Sequence, residues 1–305
     1  MTAADGSRCD RVRRADVSAL DELLARHHPG AQVLARAAAV TESAADESLE
    51  QAWELLVAGI IGRTVTDGTR SVLLSHLMTT LAERRRLDPG PAAAAPRRAF
   101  YPPDDRWAGW WDDEQAPREW PPGTTLPWTR VARALREVPV GLRVLLILRD
   151  AIALAAQEAE SVIPVPAARQ PEVLDDARRS YVAALDEQLT GTGAAEGESR
   201  ASAPGSALDP PARDGEADLR PALRARARIR DISCDAVFGL VGLWLDGSLA
   251  ADERDAYEQH LLLCPWCVAY VGKTRLALAA LRGVPASAPA GSFRRRLITL
   301  IQLEP

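Results

Sequence analysis

Along most of the chain, apolar residues recur every three or four positions, the period of a helix that buries one face. In "VSALDELLARHH", Val17, Leu20, Leu23 and Leu24 share such a face. From Glu47 to Ile61, "ESLEQAWELLVAGII" repeats the pattern with Leu49, Trp53, Leu56 and Ile60. From Arg70 to Arg86, Val72, Leu73, Leu77, Met78 and Leu81 do so again, and the segment ends in Arg84, Arg85 and Arg86. Cations there would complement the negative end of a helix dipole or meet nucleic-acid phosphates. Two further helical blocks fall near 129–189 and 220–282. Strand-favouring residues are thinly spread, whereas Ala, Leu, Arg and Glu dominate, so the pattern predicts an all-α fold.

Three stretches interrupt the helical period. The first, about Leu87 to Pro127, is rich in proline and tryptophan: Trp107, Trp110, Trp111, Trp120 and Trp128 all lie between Phe100 and Trp128. Its prolines forbid one long helix, and it is too aromatic for a plain disordered linker. It is expected to wrap over the helical blocks and plug tryptophans into grooves, with a partner-binding surface as the alternative. The second, Thr190 to Asp218, has the composition of a flexible linker. The third, "GVPASAPAGS", precedes a C-terminal tail. The division that follows is 10–87, a connector at 88–128, 129–189, a linker at 190–218, and 220–305.

Composition narrows the function classes. The chain has 305 residues, enough for about two domains, with 26% charged residues and a net charge of −5. That balance argues against a strongly basic nucleic-acid binder while leaving room for a local patch. No apolar run approaches the roughly 20 residues of a membrane span, and the first residues do not read as a secretory signal, so a cytoplasmic, non-membrane protein is expected. No histidine is paired with a plausible nucleophile and no Gly-rich phosphate loop occurs, so neither an enzyme nor a small-molecule substrate is expected.

The four cysteines are Cys9, Cys234, Cys264 and Cys267. Cys9 stands alone near a terminus expected to fray, and reads as an idle thiol. The other three frame "HLLLCPWC", His260 to Cys267. Pro265 disfavours helical geometry at Cys264 and suits a first helical position, so one helix should end near Leu263 and the next begin at Pro265. His260, Cys264 and Cys267 then share one side of the joint. Cys234 opens an apolar helical segment with Val237, Leu240, Val241, Trp244 and Leu245, which Asp246-Gly247 stops. "AADERDAYEQH" returns antiparallel, bringing Cys234 beside His260. A thioredoxin-type pair would need a βαβ pattern, and a simple disulfide would leave His260 and Cys234 unexplained. A catalytic zinc would keep an open position, whereas four good donors suit one closed structural Zn2+ per chain.

At these residues, Cys-x25-His-x3-Cys-x2-Cys on a helical hairpin resembles the zinc-binding anti-sigma domain, a small helical bundle that grips a sigma factor and in some members senses oxidation by releasing zinc. The resemblance implies that Cys234, His260, Cys264 and Cys267 are the ligands. Earlier blocks resemble an extracytoplasmic-function sigma factor. "ADESLEQAWELLVAGI" is similar to the helix of its first domain that docks on RNA polymerase, which implies polymerase contacts from Asp46, Glu47, Glu50, Gln51 and Trp53. "SVLLSHLMTTLAERRR" resembles the following helix, which meets promoter DNA through residues such as Arg84, Arg85 and Arg86. Leu135, Pro139, Leu148, Arg149 and Asp150 match the opening of the second, helix-turn-helix domain.

Departures accompany the likeness. Where the family has a Gly-containing turn and a basic recognition helix, this chain has "IPVP" and "AARQPEVLDDARRSYVAALDEQL". Pro171 would break or delay that helix, at a cost of about 3 kcal/mol in an interior. Between Arg130 and Glu187, eight arginines face nine acids, a poor footprint for reading DNA; Arg178 and Arg179 are the remaining candidate backbone contacts. The resemblance therefore implies a transcription regulator with two sigma-like helical domains, the second degenerate, and a small zinc-binding helical bundle that restrains them in cis or senses a signal. Its partners would be RNA polymerase core or another sigma factor, with DNA bound weakly. The alternative is an anti-sigma-like interaction module that captures a different sigma factor without reading DNA.

Overall fold

The computed structural model describes residues 3–91, 100–105, 107–112, 115–191, 232–283 and 287–303. The linker expected at 190–218 lies outside the described residues from 192 onward, as do residues 92–99 of the connector. The fold is all-α, and no strand occurs among the described residues. The chain divides into two compact units: 1–94, 126–184 and 277–305 form one, and 95–125 with 185–276 form the other.

The first unit opens with α1 (Ala3–Arg13), α2 (Val17–Ala38), α3 (Glu42–Ile61) and α4 (Thr69–Glu83), which pack on one another. Leu20, Leu23, Leu34, Leu49, Trp53, Leu56, Leu73 and Leu77 are buried between them, and each such aliphatic side chain contributes about 1.5–3 kcal/mol. Asp16 and Thr41 cap α2 and α3 by accepting from the Ala19 and Ala44 N–H groups. Helix α2 runs through Pro29 to Ala38. Burial of Ala31, Val33, Leu34 and Ala35 beyond the proline offsets its cost of about 3 kcal/mol. Cys9, expected at a frayed end, is instead fully buried on α1. Burial pushes its thiol above the ordinary range, which leaves it inert.

Helix α4 stops at Glu83, so Arg84–Arg86 follow it rather than occupying its last turn. Arg85 adopts a left-handed conformation (φ 52°), and the Arg86 N–H returns to the Leu81 carbonyl at 2.8 Å. The unit continues with α5 (Trp128–Arg136), α6 (Val140–Leu146) with a π-helical turn over Ile147–Ala151, the short α7 (Ala156–Glu160), and α8 (Gln170–Gly191). Pro171 does delay α8. A 3-10 turn at Ala167–Arg169 precedes the helix, and the proline falls in its first turn, where its missing N–H is harmless. Arg143, fully buried, ties the unit together by donating to the carbonyls of Ala37, Asp88 and Val138 and to the Asp88 carboxylate at 2.9–3.2 Å.

The second unit contains α9 (Cys234–Leu245), α10 (Ala251–Leu263) and most of α11 (Pro265–Arg282). Connector residues complete it. The carboxylate of Asp186 accepts from the Trp120 indole at 2.9 Å and from Lys273 at 2.7 Å, which pins the 120 region beside α11. Among the described residues no single helix is long and apolar enough to cross a membrane; α10 and α11 are so only jointly, and they turn by 110° at their junction.

The C-terminal tail forms a helix, α12 (Gly291–Leu303), within the first unit and against α3. Phe293, Leu297 and Ile301 are its buried face. Arg294 makes a two-pronged pair with Asp21 at 2.6 Å, and Arg296 reaches Glu50 and Glu54. His28 lies between Trp53 and Phe293, with ring centroids 6.3 and 6.4 Å away.

Two stability predictions follow from this packing. Burial, with Arg36 nearby, holds His28 at about 4 against an ordinary 6.5. The unfolded chain therefore takes up a proton first as pH falls. The stability tied to neutral His28 is complete above pH 6.5 and is lost between 6.5 and 4, by up to about 3 kcal/mol. His28→Leu should flatten that part of a Tm-against-pH curve; an unchanged slope would mean the proton goes elsewhere. Separately, Arg178 and Asp150, both buried, pair through two hydrogen bonds at 2.8 and 2.7 Å. Arg178→Ala leaves a buried carboxylate alone and should cost about 3–5 kcal/mol in urea denaturation.

Candidate metal centre

The centre is assembled at the open end of the α9–α10 hairpin. Ser233 caps α9 by accepting from the Ala236 N–H at 3.2 Å, which fixes Cys234 as the first helical residue. At the far end Gly247 takes φ 69° and the Ser248 N–H closes on the Leu243 carbonyl at 2.8 Å, the geometry that only glycine adopts without strain. The Trp244 and Tyr257 rings then stack at 5.2 Å, holding α9 and α10 side by side. That pairing sets the register and brings Cys234 level with His260, one turn before α10 ends.

The joint between α10 and α11 behaves as the proline requires. Cys264 is extended (φ −117°, ψ 101°) and α11 starts at Pro265. The turn swings Cys267 back towards the hairpin. The ligand atoms of Cys234, His260, Cys264 and Cys267 all lie within 4.8 Å of one another, and all four residues are buried.

The spacing fits a tetrahedral ion. Zinc–sulfur bonds of about 2.3 Å and a zinc–nitrogen bond of about 2.0 Å give tetrahedral edges of about 3.8 Å between sulfurs and about 3.5 Å from sulfur to nitrogen. Cys234 Sγ lies 3.7 Å from Cys264 Sγ and 3.6 Å from His260 Nε2. His260 Nδ1 donates to the Ile232 carbonyl at 2.9 Å, which leaves Nε2 as the unprotonated nitrogen facing the sulfurs.

Electrostatics agree. Hydrogen bonds from Cys234 and Cys267 pull the Cys264 thiol well below its ordinary range. Cys234 is pushed up to about 12 by the bond it gives Cys264, and Cys267 is pushed up by its bonds with both other thiols and by burial. Three thiolates this close together in a dry pocket would repel one another strongly. A divalent cation lets all three ionise, and the charge then falls to −1 instead of −3.

Three thiolates and an imidazole on a helical hairpin define a closed, structural zinc centre. Residues 234–267 match the family described as "putative zinc-finger", an anti-sigma factor domain family. The match begins and ends on ligands of the centre. No curated protein and no solved structure matches the chain.

The other residues singled out in the sequence are scattered through the first unit. Asp46 and Glu47 are exposed on α3, and Glu47 pairs with Arg86 at 2.6 Å. Glu50 is engaged by Arg296, Gln51 is half-buried, and Trp53 is fully buried in the core. Trp53 therefore holds α3 in place and presents no surface to a partner. Arg84 and Arg85 are exposed. Arg178 is corrected from a candidate DNA contact to a buried partner of Asp150, because its guanidinium is spent inside the protein. Arg179, half-buried, pairs with Asp175 and Asp176 of its own helix.

Sequence reasoning missed the residues that surround the metal ligands from the connector, Trp111 above all. It also missed α12, whose Phe293-x3-Leu297-x3-Ile301 spacing carried a helical signal.

Cys267→Ser removes one of four ligands from a unit with a small apolar core, where metal binding is coupled to folding. The variant should purify with substoichiometric zinc, and residues 232–276 should lose protection in hydrogen exchange. Retention of one tightly held zinc per chain with unchanged protection would count against the four-ligand centre.

Proposed function

We propose that the chain is a cytoplasmic transcription regulator in which a sigma-factor-like helical part and a zinc-binding anti-sigma-like part are fused, the second restraining the first in cis. The zinc centre carries this reading, because it falls on the segment that matches an anti-sigma domain family. The role is one of binding rather than catalysis. RNA polymerase core is the partner, engaged through the acidic face of α3. DNA contributes weakly, through Arg84 and Arg85.

Supporting the restraint, the segment that follows the zinc hairpin ends in α12, and α12 lies on α3. Arg296 engages Glu50 and Glu54, and Arg294 engages Asp21. Solvent screens these exposed pairs, so the buried Phe293, Leu297 and Ile301 supply most of the hold. Reversing the charges replaces attraction with repulsion without disturbing that apolar face.

A second reading, capture of a different sigma factor, is favoured by exposed apolar residues on α10 and α11. Leu262 is 84% exposed, and Leu263, Val268 and Leu276 are exposed with it.

The test is binding of the full chain to purified RNA polymerase core. Arg294→Asp with Arg296→Glu should loosen α12 and strengthen core binding several-fold, while Glu50→Lys in that background should abolish the gain. If neither form binds core but the wild type holds another sigma factor, the second reading replaces the first.

A further inference from the structure

The matched family segment, 234–267, supplies the four ligands, yet the centre is finished by a stretch more than a hundred residues upstream. Within the second unit, residues 100–105 and 107–111 fold back on one another. The Tyr101 N–H donates to the Trp110 carbonyl at 2.9 Å, the Gly109 N–H donates to the Tyr101 carbonyl at 3.2 Å, and Phe100 and Trp111 pair as an isolated bridge. The Gly109 carbonyl accepts from the Asp235 N–H at 2.9 Å, one of the unpaired donors at the start of α9. Gly109 has φ 76°, and a Cβ there would come within 3.0 Å of Ser233. Only glycine lets the loop approach the residue next to Cys234 this closely.

This docking delivers Trp111 to the sulfurs. Its indole N–H donates to Cys267 Sγ at 3.3 Å, and the side chain is only 3% exposed. Phe100, Phe238 and Tyr270 surround the indole with centroids 4.4, 5.4 and 5.9 Å away, while Trp110 lies 5.8 Å from the His260 ring. The bundle thereby gains an aromatic wall and a hydrogen-bond donor aimed at a ligand sulfur.

We propose that Trp111 is a positioning residue of the zinc centre: its indole N–H holds the Cys267 thiolate, withdraws electron density from it, and so slows metal loss and attack on that sulfur by electrophiles. The reason is electrostatic. Three thiolates leave the centre with a net negative charge after zinc is bound, and a donor directed at one sulfur offsets part of it in a dry site. A hydrogen-bonded thiolate is also a poorer nucleophile, because the lone pair that would attack is already shared. The docked connector is thereby coupled to the metal.

The test uses the full chain with three metals. With zinc, Trp111→Phe keeps the aromatic packing and removes the N–H; its zinc affinity, measured by chelator competition, should fall about tenfold, and alkylation of the bound thiolates should quicken several-fold. With cobalt, the sulfur-to-metal charge-transfer band should move to lower energy in Trp111→Phe and stay in place in Phe100→Leu, which disturbs the packing and leaves the N–H. Equal affinity and an unmoved band in Trp111→Phe would overturn the proposal. So would a Phe100→Leu variant with the same shifts, since packing alone would then account for them. With cadmium-113 in the unmutated chain, the indole proton of Trp111 should show scalar coupling to the metal through sulfur. An uncoupled indole proton that exchanges as fast as an exposed one would overturn the proposal even if the variants failed to fold.

Discussion

Three cysteine sulfurs within a few ångströms of each other in a dry pocket cannot all be thiolates unless a cation lies among them. That constraint governs the second unit. Hydrogen bonds from its neighbours lower the Cys264 thiol, while bonds among the thiols and burial raise Cys234 and Cys267. A zinc ion reverses the balance for all three and joins α9, the end of α10 and the start of α11 at one point. Beyond the Trp244–Tyr257 stack and the Phe238–Tyr270 contact, the links between these helices are small. Val237, Val241, Ala256, Tyr257 and Tyr270 make a thin apolar layer, and a unit of this size with so few large buried side chains needs a staple. The features around the ligands serve the same end: Ser233 sets where α9 begins, Pro265 sets the bend, and Gly247 with the Trp244–Tyr257 stack sets the register.

The first unit depends on different physics. Its four N-terminal helices bury a continuous aliphatic core with Trp53 inside it, and its ionic groups are mostly consumed internally. Arg143 satisfies three carbonyls and a carboxylate, Arg178 satisfies Asp150, and Arg294 and Arg296 satisfy acids of α2 and α3. A surface meant for a charged partner would leave such groups to solvent. Here the acidic face of α3 is already engaged by the chain's own last helix, which accords with a regulator restrained in cis as proposed above.

The metal ligands were legible because their chemistry is local. A proline between two cysteines, a histidine one turn earlier and a hairpin of fixed length leave few ways to arrange four donors. The helical period was equally legible, since Leu20, Leu23, Leu49, Leu56 and Leu73 mark buried faces by spacing alone. The fate of individual charged residues was not. Arg178 and Arg179 are adjacent in the sequence, yet one pairs with a carboxylate buried 28 positions away and the other with acids of its own helix. Nothing in residue type or spacing distinguishes them.

By itself, then, the sequence determined an all-α chain, the helix stop at Asp246-Gly247 and the joint at Cys264-Pro265, and a Cys-His-Cys-Cys donor set suited to zinc. These depend on neighbours within a turn or two, where backbone geometry and residue type are enough. Only the tertiary structure decided that Cys9 is core, that the C-terminal tail is a helix lying on α3, and that the Trp/Pro stretch completes the metal centre. Trp111 meets Cys267 across 156 positions. A contact of that span is selected by how whole elements pack, and a hydrogen bond between an indole and a distant sulfur leaves no periodic trace in the chain.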